Sequence, residues 1–203
     1  MAVTEVSICN LALQKLGADP ISSLLQVHPN ASVMNAVYET LRDLELRQHR
    51  WNFAKSRATL APDATAPSTE SGFSYAFPLP TDYLRLLSPN ESNNISRDGG
   101  RNDVDWKIER HQGRRCILTN DGATLDIAYV ARVEDPAQFD ACFVEALACR
   151  LAWQTCERVT QSNSKKTDAA AEYKEAIREA KRLNAVENVP IESPTDTWLT
   201  VQR

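Results

Sequence analysis

The stretch FSYAFPLPTDYLRLL, Phe73 to Leu87, decides how the chain is divided. Phe73, Tyr75 and Phe77 alternate with Ser74 and Ala76, the period of a strand with one apolar face. Pro78 and Pro80 end that run, since proline donates no ladder hydrogen bond, and Tyr83 to Leu87 follows Asp82 as a second short apolar stretch. Just upstream, Ala61 to Pro67 carries Pro62 and Pro67 among Ala, Thr and Ser and reads as a loop. The period therefore changes here from helical to alternating.

Downstream, Ser88 to Asp105 is polar, contains Gly99 and Gly100, and reads as a long loop tip. Trp106–Glu109, Cys116–Thr119 and Leu125–Val130 are predicted as three further strands. Gly113 is expected to turn the first pair and Asn120-Asp121-Gly122 the second. The middle third is thus predicted to be one small antiparallel sheet, closed by Asp135-Pro136.

Helical periods flank it on both sides. Thr4 can cap a first helix to Leu16, with Ile8, Leu11, Ala12 and Leu16 on one face, Gly17 as left-handed cap and Pro20 beyond. A second helix is predicted to start after Asn30, a good cap residue, and to run to Gln48, with Val33, Val37, Leu41 and Leu44 inside and Arg42, Asp43, Glu45 and Arg47 in water. Trp51 and Phe53 should pack beneath this pair, an antiparallel hairpin. The helical period returns from Pro136 to Thr160, with Phe143, Leu147 and Leu151 on one face and Ala146, Ala148 and Trp153 nearby. Gln161 to Lys166 is a polar break, and a last helix spans Thr167 to Glu187 around Tyr173, Ile177, Ala180 and Leu183. Glu175 with Arg178, and Glu179 with Arg182, are predicted surface pairs.

Composition narrows the function classes. The formal net charge of −4 argues against a dedicated nucleic-acid binder, whose affinity comes mostly from neutralising phosphates. No apolar run reaches the roughly 20 residues of a membrane span, and Met1 to Asn10 lacks the regions of a signal peptide. The expectation is a chain made in the cytoplasm with no membrane partner. The five cysteines, Cys9, Cys116, Cys142, Cys149 and Cys156, form no CxxC pair and are expected as reduced, buried thiols. Cys142, Cys149 and Cys156 recur every seven residues, about 10.5 Å apart along a helix, too far for a disulfide or a shared metal. His28, His49 and His111 lie in unrelated segments without an HxxxH or HExxH pattern. Asp135, Asp140 and Glu145 open a helix, where carboxylates complement the dipole. Neither GxGxxG nor GxxxxGK[ST] occurs, and Gly99-Gly100, a lone pair in a polar loop, is weak evidence for any phosphate cradle. No catalytic, cofactor or metal residue is predicted.

Two segments remain as candidate contact sites. Arg110, Arg114 and Arg115 cluster around one turn, which is a solvated hairpin tip, a dock for an acidic partner, or a surface facing DNA. The segment Asn188 to Arg203 has Pro190 and Pro194 and no helical period, yet holds Ile191, Trp198, Leu199 and Val201. It either folds back on its own domain or docks on another subunit or a portal.

Several stretches resemble, in order, the tail tubular protein A family, the head-to-tail adaptors of short-tailed bacteriophages. ICNLALQKLGADPISSL looks like that family's first helix and turn. Arg42-Asp43 and HRWNFAKSRATLA resemble its second helix end and tryptophan-containing crossover. FPLPTDYLRLL, CILTN and LDIAYVARVEDPAQFD look like its sheet, and FVEALACRLAWQTCERVTQSNSK is similar to its long third helix. The likeness is collinear over about residues 5 to 187.

The resemblance implies a helical bundle with a β insertion. It also implies a ring of twelve copies in the neck of a virion, between the portal protein and the nozzle, tail tubular protein B. Genomic DNA would pass through the lumen, with no catalysis and no cofactor. The expected fold is α+β, a four-helix bundle of two N-terminal and two C-terminal helices with a small antiparallel β-sheet insertion and an extended C-terminal tail. Its segments are 1–60, 61–135, 136–187 and 188–203. A ring repeats one heterologous contact, so each subunit needs two unlike faces. A mildly acidic conduit would let phosphate slide past. The competing readings are a head-completion or connector protein of a long-tailed phage, a small hydrolase or metal enzyme, and a DNA-binding regulator.

Overall fold

The computed structural model describes residues 3–89, 106–120 and 124–187. They form four helices, α1 (Glu5–Leu16), α2 (Pro29–Gln48), α3 (Ala141–Thr160) and α4 (Asn163–Val186). Six strands lie between them: β1 (Lys55–Leu60), β2 (Tyr75–Pro78), β3 (Tyr83–Pro89), β4 (Trp106–His111), β5 (Arg114–Thr119) and β6 (Leu125–Ala131). The chain divides into two compact units, one of residues up to 55 together with 130–187, the other of 56–129. Among the described residues no helix is long and apolar enough to cross a membrane.

The expected bundle with one small inserted sheet is not what the chain forms. The class is α+β, but the strands make two separate three-stranded antiparallel sheets, ordered β1-β6-β3 and β2-β5-β4. β5 and β6 were expected to pair across Asn120-Asp121-Gly122, and they lie in different sheets. The reason is burial. Cys116–Thr119 in β5 and Ile127–Val130 in β6 are buried at every residue, so each strand is covered on both faces and sits at a sheet centre between two partners. The strand missing from the sequence reading is β1, KSRATL, whose alternation of exposed and half-buried residues is that of a polar edge.

The β4–β5 turn follows the expectation at Gly113. His111 pairs with Arg114, leaving Gln112 and Gly113 at φ +50° and +78°, both in the left-handed region that a two-residue hairpin turn requires.

In the helical unit, α3 is the hub. It packs against α4, α1 and α2, whereas α1 and α2 touch each other little. Phe143, Ala146, Leu147, Ala148, Cys149, Leu151, Ala152, Thr155 and Cys156 are all buried, so α3 is covered on most of its circumference. Small Ala and Cys side chains let neighbouring helices approach it, the role expected for the seven-residue cysteine series, although Cys142 is only half-buried.

Local chemistry sets the helix ends. Thr4 Oγ1 accepts from Ser7 N at 3.1 Å, Ser7 Oγ accepts from Thr4 N at 2.9 Å, and Gly17 at φ +68° closes α1. α2 begins one residue before Asn30, with Pro29 in its first turn and His28 Nδ1 accepting from Asn30 N. Asp140 caps α3. The predicted break Gln161–Lys166 shrinks to two residues, because Gln161 takes φ +52° and Ser162 at once caps α4.

Trp51, Phe53, Phe139 and Phe143 form an aromatic cluster with centroids 5.0–6.1 Å apart, most pairs edge-on or tilted. Trp51 is buried, and its indole N–H donates to the Glu45 carbonyl at 3.0 Å. Asn184 of α4 ties the crossover down: its Oδ1 accepts from Asn52 N at 2.9 Å and its Nδ2 donates to the Arg50 carbonyl at 3.0 Å.

Candidate assembly surfaces

The basic turn is built by β4 and β5. Arg110 stands opposite Arg115, and His111 opposite Arg114. Directly opposite residues share a face and successive ones alternate, so Arg110 and Arg115 lie on one face and Arg114 on the other. Each guanidinium has its own local partner. Arg114 Nη2 donates to Asp63 Oδ2 at 2.7 Å, Arg115 lies 5.5 Å from the Tyr83 ring centroid, and Arg110 Nε donates to the Gly113 carbonyl at 3.2 Å. The structure thus splits the sequence cluster. Asp63 also donates its backbone N–H to the Ala76 carbonyl, and His111 Nε2 is 3.0 Å from the Thr65 carbonyl, so the loop of residues 61–74 is fastened along this turn. The other predicted contact residues, Ile191, Trp198, Leu199 and Val201, lie outside the described residues, as does most of the polar loop tip.

On the Arg110 face, the next two rows are Phe77–Ile117–Ile108 and Tyr75–Thr119–Trp106. Phe77, Ile117 and Thr119 are buried. Tyr75, Ile108 and Trp106 are 40%, 36% and 43% exposed, a rim of large apolar groups with no carboxylate in these rows.

A second apolar surface carries no periodic signal in the sequence. Between α1 and α2, Leu25 is 85% exposed and Val27 fully exposed. The segment Ile21–Val27, ISSLLQV, carries no charge. It is held in shape: Asn10 Nδ2 donates to the Ile21 carbonyl at 2.9 Å while its Oδ1 accepts from Ile21 N at 2.7 Å. Gln26 Oε1 accepts from both Ser22 N and Ser22 Oγ, and Ser23 Oγ accepts from Leu25 N. An uncharged run between Pro20 and Pro29 was the available signal.

Reactive groups are buried for other purposes. Arg42 and Glu45, expected in water, are buried at 4% and 1% exposure. Asp43 joins two guanidinia, taking Arg42 Nε at 3.0 Å and Arg132 Nε at 2.7 Å. Glu45 Oε1 accepts from the Tyr173 hydroxyl at 2.7 Å and lies 3.7 Å from Arg150 Nε, whose guanidinium is 5.0 and 4.9 Å from the Trp153 and Tyr173 ring centroids. Glu45 Oε2 has no hydrogen-bond partner. Burial holds the Glu45 carboxyl above its ordinary range despite Tyr173, Arg150 and Lys181, and pushes the Tyr173 phenol up to about 12. Burial raises Cys9 to about 12 and Cys149 to about 11, and also raises Cys116 and Cys142, so these four are thiols and not nucleophilic thiolates at neutral pH.

His28 caps a helix and His49 meets Asn184 and the Trp51 edge. Asp135 and Asp140 cap helical turns, and Glu145 pairs with Lys15 at 2.7 Å. Among the described residues no three His, Cys, Asp or Glu side chains gather as a metal site. A hollow of about 250 Å³ on β1 and β6 is lined by Thr59, whose hydroxyl donates to the Asp126 carboxylate at 2.6 Å, with no histidine, cysteine or lysine among the described lining residues; another of about 190 Å³ is lined by Lys15, Lys165, Asp168 and Glu172.

No family model matches this sequence, and no curated protein matches it at a significant level.

Proposed function

We propose that the chain is a structural subunit of a short-tailed phage virion, a ring-forming adaptor that joins the portal to the tail nozzle and encloses part of the DNA path. The observation that carries this reading is the collinear resemblance from ICNLALQKLGADPISSL to FVEALACRLAWQTCERVTQSNSK. The work those residues do supports it. Asn10 clasps the α1–α2 loop, Asp43 joins Arg42 to Arg132, and Trp51 and Asn52 lock the crossover to α3 and α4. These residues shape a scaffold, as a subunit whose task is to present surfaces requires. The net charge of −4 suits a channel wall that phosphate slides past.

The test is to mix the purified chain with its portal, image the complex and count the copies around the axis. A closed ring of twelve on the portal is the expected result. A chain that ignores portal and nozzle, or binds DNA tightly with a steep salt dependence, overturns the reading.

A further inference from the structure

We infer that the charge-free loop carrying Leu25 and Val27 docks on the apolar rim of Tyr75, Ile108 and Trp106 in the next copy of the chain. This rests on the ring reading and names the two unlike faces that a ring contact needs. Two observations select a second copy as the occupant. The first is shape. The loop is a protruding pair of aliphatic side chains fixed by the Asn10, Gln26 and Ser23 hydrogen bonds, so little freedom is lost on docking. The rim is part of a sheet face and offers two aromatic rings, the side chains that most often anchor interfaces.

The second is charge. The exposed acid at the loop's foot is Asp19, and the exposed cation at the turn end of the rim's face is Arg110, with Arg115 opposite it. The rows of that face hold no carboxylate, and the loop holds no cation, so docking brings opposite charges together and buries neither sign against itself. The loop does not suit itself as a partner, since a loop-to-loop contact would set Asp19 against Asp19. Two loop residues and three rim residues are a small part of the roughly 20–30 residues a side of a standard interface, so the pair acts as the anchor of a wider contact.

Val27→Cys and Ile108→Cys proteins, made separately as full chains and mixed with portal, should be joined by a short bis-maleimide. A covalent dimer is expected only in the mixture and not with either variant alone or the wild type. Leu25→Asp with Val27→Asp should leave the circular dichroism and melting of the free chain unchanged and lower the assembled fraction at least tenfold. Rings that form equally well with the double Asp variant, or cross-links only between Val27→Cys copies, overturn this contact and leave the ring reading intact. A wild-type chain that stays single-copy alone and on portal overturns both.

Discussion

The helical unit and the strand unit treat charge in opposite ways. The helical unit takes Arg42, Glu45 and Asn184 inside and satisfies most of their polar atoms across α2, α3, α4 and the crossover. The strand unit pairs its charges at the surface, as in Lys107–Glu109 and in exposed Arg114 over the half-buried Asp63, and its one buried polar residue among those described is Thr119. Buried polar partners accept only one mutual placement of the helices, because any slip strands a charge out of water. Pairs with a largely exposed partner contribute little, and the strand unit gets its register from alternation and turn geometry.

Single substitutions in each unit test this contrast. The largest loss is expected for Trp51→Ala, about 3–5 kcal/mol in urea unfolding, because it empties the centre of the aromatic cluster and removes the indole donor from the Glu45 carbonyl. Arg150→Ala should cost about 3 kcal/mol at neutral pH by leaving Glu45 buried beside no cation from α3.

The pH dependence has a definite sign. The folded carboxyl of Glu45 lies above its unfolded value, so its ionised form destabilises the fold at neutral pH. That penalty is relieved as pH falls through the folded value and is gone below the ordinary carboxylate range. The Arg150→Ala deficit should therefore shrink in acid. Glu45→Gln, which keeps an acceptor for Tyr173, should flatten this part of the stability–pH curve; a curve identical to wild type would contradict the assignment.

Asn184→Ala should cost about 1–3 kcal/mol, since it orphans the Asn52 N–H at the crossover. In the strand unit the effects are smaller. Gly113→Ala should cost about 1 kcal/mol, all of it backbone strain at φ +78°, because no atom stands within 4 Å of the added Cβ. Arg114→Ala should cost below about 1 kcal/mol and fade further in salt, its side chain being 61% exposed. A loss for Arg114→Ala as large as that for Arg150→Ala would erase the contrast.

Four helices and five of the six strands were legible in the sequence, because each has an apolar period or a turn signal of its own. Thr4, Gly17, Asp140 and Gly113 act locally, through bonds and dihedrals within a few residues, and local sequence specifies them. β1 was invisible since KSRATL has no apolar face and becomes a strand only against β6. The buried stripe of α2 was placed one position off, on Val33, Val37 and Leu44; Ala31, Met34, Tyr38, Arg42, Glu45 and Leu46 are buried with Leu41 instead. The closeness of Arg110, Arg114 and Arg115 around one turn is legible in the sequence, but their separation onto two faces follows from strand register.

Helix caps, apolar periods and turn residues along the chain are enough to specify the four helices, most strands and the turn at Gly113. That the strands form two sheets, that Arg42 and Glu45 go inside and that Leu25 and Val27 stay out follows from packing between distant segments. The physical reason is range. Caps, turns and periods are set by neighbours in the chain, whereas burial of a charge or exposure of a leucine depends on groups such as Tyr173 and Arg150, more than a hundred residues from Glu45.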